Sequence, residues 1–183
     1  KNLIIVLRPQ GADMTNYYNN FSANLANGDL VWAINDDASV STQHFDKKVH
    51  KVYRDFQEKN HHKMMYIQCM DVTHAKNNLY KEIGTCFPIL SKEAINALGS
   101  FFPSQIEWWG ADAALFKIFL KLKQDYNFDC IAECFDVWLE HSTHTAETLD
   151  AVNERARLVS KNFHLEPVEF DHYSSRMACY ILE

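Results

Sequence analysis

The chain has 183 residues, 47% of them hydrophobic, which is enough for one full core and too short for two ordinary domains. A net charge of −6 argues against a nucleic-acid backbone as partner, because that partner calls for a basic surface. No apolar run reaches the roughly 18 residues that a membrane-spanning helix requires, and no signal-peptide pattern opens the chain.

In chain order, the pattern predicts a strand over 3–7, then a loop through Arg8, Pro9, Gln10 and Gly11. Asp13 or Thr15 is placed to cap a helix through about residue 27, and Gly28 stands where a left-handed helix stop belongs. A strand over 30–34 leads into Asn35, Asp36 and Asp37. Ser41 or Thr42 is expected to cap a second helix, with Phe45, Val49, Val52, Tyr53 and Phe56 on one face at a 3.6-residue period. Asn60, His61 and His62 close it as an exposed helix end. Residues 64–70 read as a strand and 71–82 as a polar loop. Residues 84–90 read as a strand whose Pro88 places it at a sheet edge or marks a strand end. Ser91 caps a short helix to residue 98, closed by Gly99. A helix from Asp112 to about residue 124 turns Ala114, Leu115, Ile118, Phe119 and Leu122 inward. A strand over 131–139 and a polar helix over about 147–161 complete the pattern. Strands alternating with helices predict an α/β sandwich around one sheet.

Five cysteines, at 69, 86, 130, 134 and 179, form an odd set without CxxC spacing. They are read as reduced core thiols, which points to a cytosolic compartment.

The most informative segment runs from Gly28 to Ala38. A buried strand there enters two adjacent carboxylates, which repel one another unless a divalent cation or a cationic ligand neutralises them. In open α/β sheets, ligands bind at the carboxyl ends of the strands. The competing reading is an ordinary Asx-type turn. Two further loops carry unusual chemistry: Trp108-Trp109-Gly110-Ala111-Asp112, and the pair His141 and His144 after the last strand.

This ordered set resembles glycosyltransferases of the GT-A fold, in particular the family 2-like inverting enzymes. The matching segments are Gly28 to Ile34, Asn35-Asp36-Asp37, Gly84 through Ser91 and on to Gly99-Ser100-Phe101, Trp109-Gly110-Ala111-Asp112, and His141. They cover about residues 1–145, a catalytic core, with 146–183 as a C-terminal helix and tail of the same single domain. The resemblance implies a three-layer α/β/α sandwich around a central mixed sheet. It implies transfer of a sugar from a nucleotide-sugar, UDP-linked, to a hydroxyl of a glycan, lipid-linked or protein-glycan acceptor with inversion.

In that resemblance Asp37 matches the metal-binding carboxylate, for Mn2+ or Mg2+, and Asn35 and Asp36 lie by the ribose and diphosphate. Trp109 and Gly110 line the nucleotide-sugar, and Arg8 is placed to meet phosphate. Asp112 matches the general base that takes the acceptor proton, and His141 matches a late histidine completing the metal shell. Each has an ordinary alternative. Asp112 would favour a helix N-terminus in any case, Trp108 and Trp109 would serve as core, His141 as a structural histidine, and Arg8 as a solvated cation. His144 is a weaker ligand candidate and Asp71 a weaker acceptor-site candidate.

Asn35 replaces the first acid of the family's motif. The family's opening strand–helix–strand unit has no counterpart, so a piece of a longer protein or a pared-down fold is expected. The rival readings are a non-catalytic nucleotide-sugar or carbohydrate binding module of the same fold, and a metal hydrolase using His141 and His144. The latter pair lies beyond a strand and fits the helical zinc motif poorly. The expected location is cytoplasmic, with the cytoplasmic face of a membrane as the alternative.

Overall fold

The computed structural model describes residues 15–35, 38–72, 84–104, 106, 110–141 and 177. The strand expected at 3–7 and the helix expected at 147–161 lie outside these residues.

A π-helical turn at Thr15–Asn20 continues into α1 (Phe21–Leu25). Asn20 ties this region to the chain 82 residues on: its side-chain amide donates to the Phe102 carbonyl at 3.0 Å, and its amide oxygen accepts from the Phe102 N–H at 2.7 Å. The helix stops at Ala26, which is extended, so Gly28 is not the left-handed terminator expected of it. Strands β1 (Leu30–Trp32) and β2 (Ala38–Val40) follow, then α2 (Phe45–Asn60).

In α2 the buried residues Val49, Tyr53 and Phe56 recur at the expected period, and His61 ends the helix in the left-handed region. The expected cap is not used. His44 occupies the N-cap position, while Ser41 and Thr42 bond to a strand instead. His62 is likewise not an exposed helix end. Its ring stacks on Phe128 at 4.2 Å and meets Phe56 edge-on at 5.4 Å, and its Nε2 lies 3.0 Å from the Asp129 carbonyl.

Strand β3 (Tyr66–Asp71) is buried at every position but Met70, and β4 (Ile89–Ser91) starts just after Pro88. Ser91 then opens α3 (Lys92–Leu98). Its Oγ accepts from the Ala94 N–H at 3.2 Å and from the Met65 N–H at 2.9 Å, so one hydroxyl caps a helix and anchors the start of a strand. Gly99, at φ 83°, closes α3 as expected. Gly110, also left-handed, opens α4 (Ala111–Tyr126), and β5 (Ile131–His141) completes the sheet.

The strand order is β1-β4-β3-β5-β2. β4 is antiparallel to both β1 and β3, β3 is parallel to β5, and β5 is antiparallel to β2. Pro88 therefore marks a strand end; β4 is internal, and a sheet-edge position is ruled out. It follows from the pairing that β1, β3 and β5 all run in one direction and end on the same side of the sheet.

Alternation of side chains along the strands divides the core into two. Met65, Ile67, Cys69, Ile89, Cys134 and Leu139 pack with Val49, Tyr53 and Phe56 of α2. On the other face Tyr66, Leu90 and Met64 pack with α3 and with Leu115, Ile118, Phe119 and Leu122 of α4. Helices thus cover both faces of a mixed five-stranded sheet. Cys69, Cys130 and Cys134 are buried free thiols, as expected, and Cys86 is a half-buried one. The cross-strand register jumps from Cys69–Cys134 to Met70–Trp138, so β5 carries an excursion at 135–137. Thr42 pins it: its Oγ1 accepts from the Trp138 N–H at 2.8 Å and donates to the Asp136 carbonyl at 3.3 Å.

Candidate functional site at the carboxyl edge of the sheet

Because β1, β3 and β5 are co-directional, their carboxyl ends share one edge. β1 leads out through Ala33, whose N–H still donates to the Pro88 carbonyl at 3.2 Å, to the exposed Asn35. The Asn35 carbonyl accepts from the Ala38 N–H at 3.2 Å. Asp36 and Asp37 themselves lie outside the described residues, as do Arg8, Trp108, Trp109 and His144. β2 runs antiparallel to β5, and Ala38 is the cross-strand partner of His141. The backbone next to Asp37 therefore lies directly against that of His141, whose side chain is outside the described set. Gly110 and Asp112 are described: the glycine is the N-cap of α4 and Asp112 sits half-buried in its first turn.

The edge also holds Asp71, read above as a weaker acceptor-site candidate, and Cys86, which carried little prior signal. Asp71, read above as the start of a polar loop, is the last residue of β3 and only 2% exposed. The Cys86 thiol lies close enough to the Asp71 and Asp112 carboxyl groups for both to act on its ionisation. Burial pushes this thiol far above its ordinary range, and the charges of Asp112 and Asp71 push it the same way. A thiolate there would be a third negative charge in a poorly hydrated space, so Cys86 stays protonated and is a donor rather than a nucleophile.

The segment that presents Cys86 is held on both sides. The Thr85 N–H donates to Tyr66 Oη at 3.4 Å, the Phe87 N–H to Thr85 Oγ1 at 3.2 Å, and Trp32 Nε1 to the Phe87 carbonyl at 3.0 Å. Gly84, at φ 75°, precedes it with Tyr66 and Phe116 packed against its α-carbon. Tyr66 is fully buried; burial raises its phenol far above the usual value, the Thr85 hydrogen bond opposes this, and the Asp112 charge adds to the rise.

Two carboxyl groups and a neutral thiol at the end of a sheet can orient a hydroxyl and accept its proton. Among the described residues, no three His, Cys, Asp or Glu side chains are arranged to hold a metal ion. The expected metal ligands, the Asp37 carboxylate and the His141 imidazole, are not among the described side chains. Among the described residues, no helix is long and apolar enough to cross a membrane.

Asp71 had one readable signal, an acid closing an otherwise buried strand, as Asp36 and Asp37 do after β1. Cys86 had none beyond its place between Gly84 and Pro88. Comparison of the chain with protein-family models, with curated proteins and with solved structures returned no match.

Proposed function

We propose that this chain is a metal-assisted inverting glycosyltransferase. It moves a sugar from a nucleotide-sugar, UDP-linked, to a hydroxyl of a glycan or glycolipid acceptor. The observation that carries the reading is the meeting of Asp71, Cys86 and Asp112 at the edge where β1, β3 and β5 end. A transferase of this kind needs a proton acceptor beside a polar cleft at the carboxyl edge of its sheet. Asp112 takes the proton of the acceptor hydroxyl as the acceptor oxygen bonds to the anomeric carbon. The bond from that carbon to the diphosphate oxygen breaks on the opposite face, and the configuration inverts.

Asp37 and His141 hold a divalent cation, which when bound offsets the charge growing on the leaving diphosphate. Asn35 and Asp36 lie by the ribose and diphosphate, Trp109 and Gly110 by the donor sugar, and Arg8 by phosphate. The free thiols at Cys69, Cys86, Cys130 and Cys134 suit a reducing, cytoplasmic setting.

The test is calorimetric titration of UDP-sugars in Mn2+ against the wild type and Asp37→Ala. Manganese-dependent binding is expected in the wild type and lost in the variant, at unchanged melting temperature. Equal binding by both would remove Asp37 from the site. Binding without any transfer to glycan acceptors would make the chain a binding module.

A further inference from the structure

β3 and β5 run parallel, and Cys69 stands opposite Cys134 in their register. Neighbouring strands lie about 4.8 Å apart, inside the Cα separation of about 4.4–6.8 Å that a disulfide spans. Both side chains belong to one packed cluster on the α2 face, with Val49, Tyr53, Phe56 and Val137. Both are free thiols, and they are 1% and 3% exposed. Cys130 lies in the opposite core, where its thiol donates to the Phe119 carbonyl at 3.5 Å.

The surroundings distinguish the two sulfurs. Cys69 draws the Cys134 thiol below its ordinary value, against burial and the charge of Asp136, and the Lys48 charge helps. The Cys134 sulfur and burial hold Cys69 above its own. Among the described residues, positions 131–134 of β5 pair with β3 alone, since β2 pairs only with 139–141. The excursion at 135–137 follows directly, so Cys134 sits where a regular ladder is lost. Local opening of such a strand admits a small oxidant to a side chain that is otherwise covered.

We propose that Cys69 and Cys134 are an oxidisable pair, which hydrogen peroxide converts to a disulfide joining β3 to β5. The Cys134 thiolate attacks one peroxide oxygen: an S–O bond forms, the O–O bond breaks, and the departing oxygen takes a proton and leaves as water. The Cys69 sulfur then attacks the Cys134 sulfenic acid; an S–S bond forms, and the second oxygen leaves as water with the Cys69 proton. Two thiols and one peroxide thus give one disulfide and two waters, the peroxide gaining the two electrons that the sulfurs lose. Small thiols reverse the bond by exchange. The crosslink lies just before Asp71 on β3 and uses no side chain of the candidate site, so it stands independently of the proposed function.

The test uses the full chain under native conditions. After treatment with hydrogen peroxide and its removal by catalase, remaining thiols are blocked with N-ethylmaleimide in denaturant, and unreduced digests are mapped by mass spectrometry. The expected result is a peptide pair joined through Cys69 and Cys134, with maleimide labelling lost at both and restored by dithiothreitol. Cys86 and Cys130 should stay labelled. In Cys69→Ala the resolving thiol is missing, so dimedone should trap sulfenic acid at Cys134 about tenfold more than at Cys69 in Cys134→Ala. Equal trapping would overturn the order of attack. Full labelling of Cys69 and Cys134 after peroxide treatment would overturn the proposal, as would a link from either to another cysteine, or a Cys69–Cys134 link that forms only in urea. If an alanine variant fails to fold, the wild-type map decides alone.

Discussion

Gly84→Ala is the perturbation whose magnitude follows most directly from the geometry. A Cβ at position 84 would lie 2.7 Å from Phe116 Cγ, 2.7 Å from Tyr66 Oη and 2.9 Å from Phe116 Cβ. Neither neighbour can retreat, because Tyr66 is fully buried between Phe116 and Phe119 and Phe116 is buried in turn. Alanine at φ 75° adds backbone strain of about 1–2 kcal/mol, and overpacking a filled core adds about 1–3 kcal/mol. The smaller entropy of the unfolded alanine chain offsets about 0.5 kcal/mol. The net loss is therefore about 2–4 kcal/mol, which for a chain of this length lowers Tm by roughly 5–15 °C. Urea unfolding followed by tryptophan fluorescence gives the free energy, and a companion Gly84→Ala/Tyr66→Phe variant should recover part of it by removing one clashing atom. A Gly84→Ala protein within about 0.5 kcal/mol of wild type, the usual range for a surface change, would refute the close approach that holds the Cys86 segment.

Ser91→Ala should cost about 2–3 kcal/mol in the same assay, since one buried hydroxyl serves both the Ala94 and Met65 amides; a loss under about 1 kcal/mol would show that only the cap matters. Burial holds the His62 imidazole below its ordinary value, against the opposing pull of the Asp129 carbonyl and charge. The fold therefore favours the neutral ring, and its contribution is present above the unfolded value of about 6.5 and is lost as pH falls from there toward the lower folded value. Thermal melts from pH 7.5 to 5 should show a decline that is shallower in His62→Gln, and parallel curves would contradict this.

What could be read in the sequence was whatever local chemistry decides. The α3 boundaries were legible because Ser91 and Gly99 act within one turn of their own positions. The buried faces of α2 and α4 were legible because helical periodicity reports burial directly. Capping of α2 was misread because Ser41 and Thr42 had a competing use 94–97 residues away, at the excursion in β5. Pro88 looked like an edge signal, yet a residue just before the first paired position needs no N–H, so β4 can lie inside the sheet. His62 looked solvated because its aromatic partners, Phe56 and Phe128, come from two elements. For the candidate site, the Asp112 turn stood out in one short motif. The convergence of Asp71 and Cys86 on it depends on strand order, which no local pattern encodes.

The most direct test of the account is steady-state sugar transfer by the wild type and Asp112→Asn, with a UDP-sugar, Mn2+ and a panel of glycan acceptors. Asparagine keeps the shape of the side chain and its polarity at the start of α4 but cannot take a proton. General-base catalysis supplies roughly 10²–10⁴-fold, so kcat should fall by about that factor while donor affinity stays within a few-fold. An Asp112→Asn enzyme with wild-type kcat would contradict the account, leaving Asp112 as a helix-opening carboxylate and nothing more.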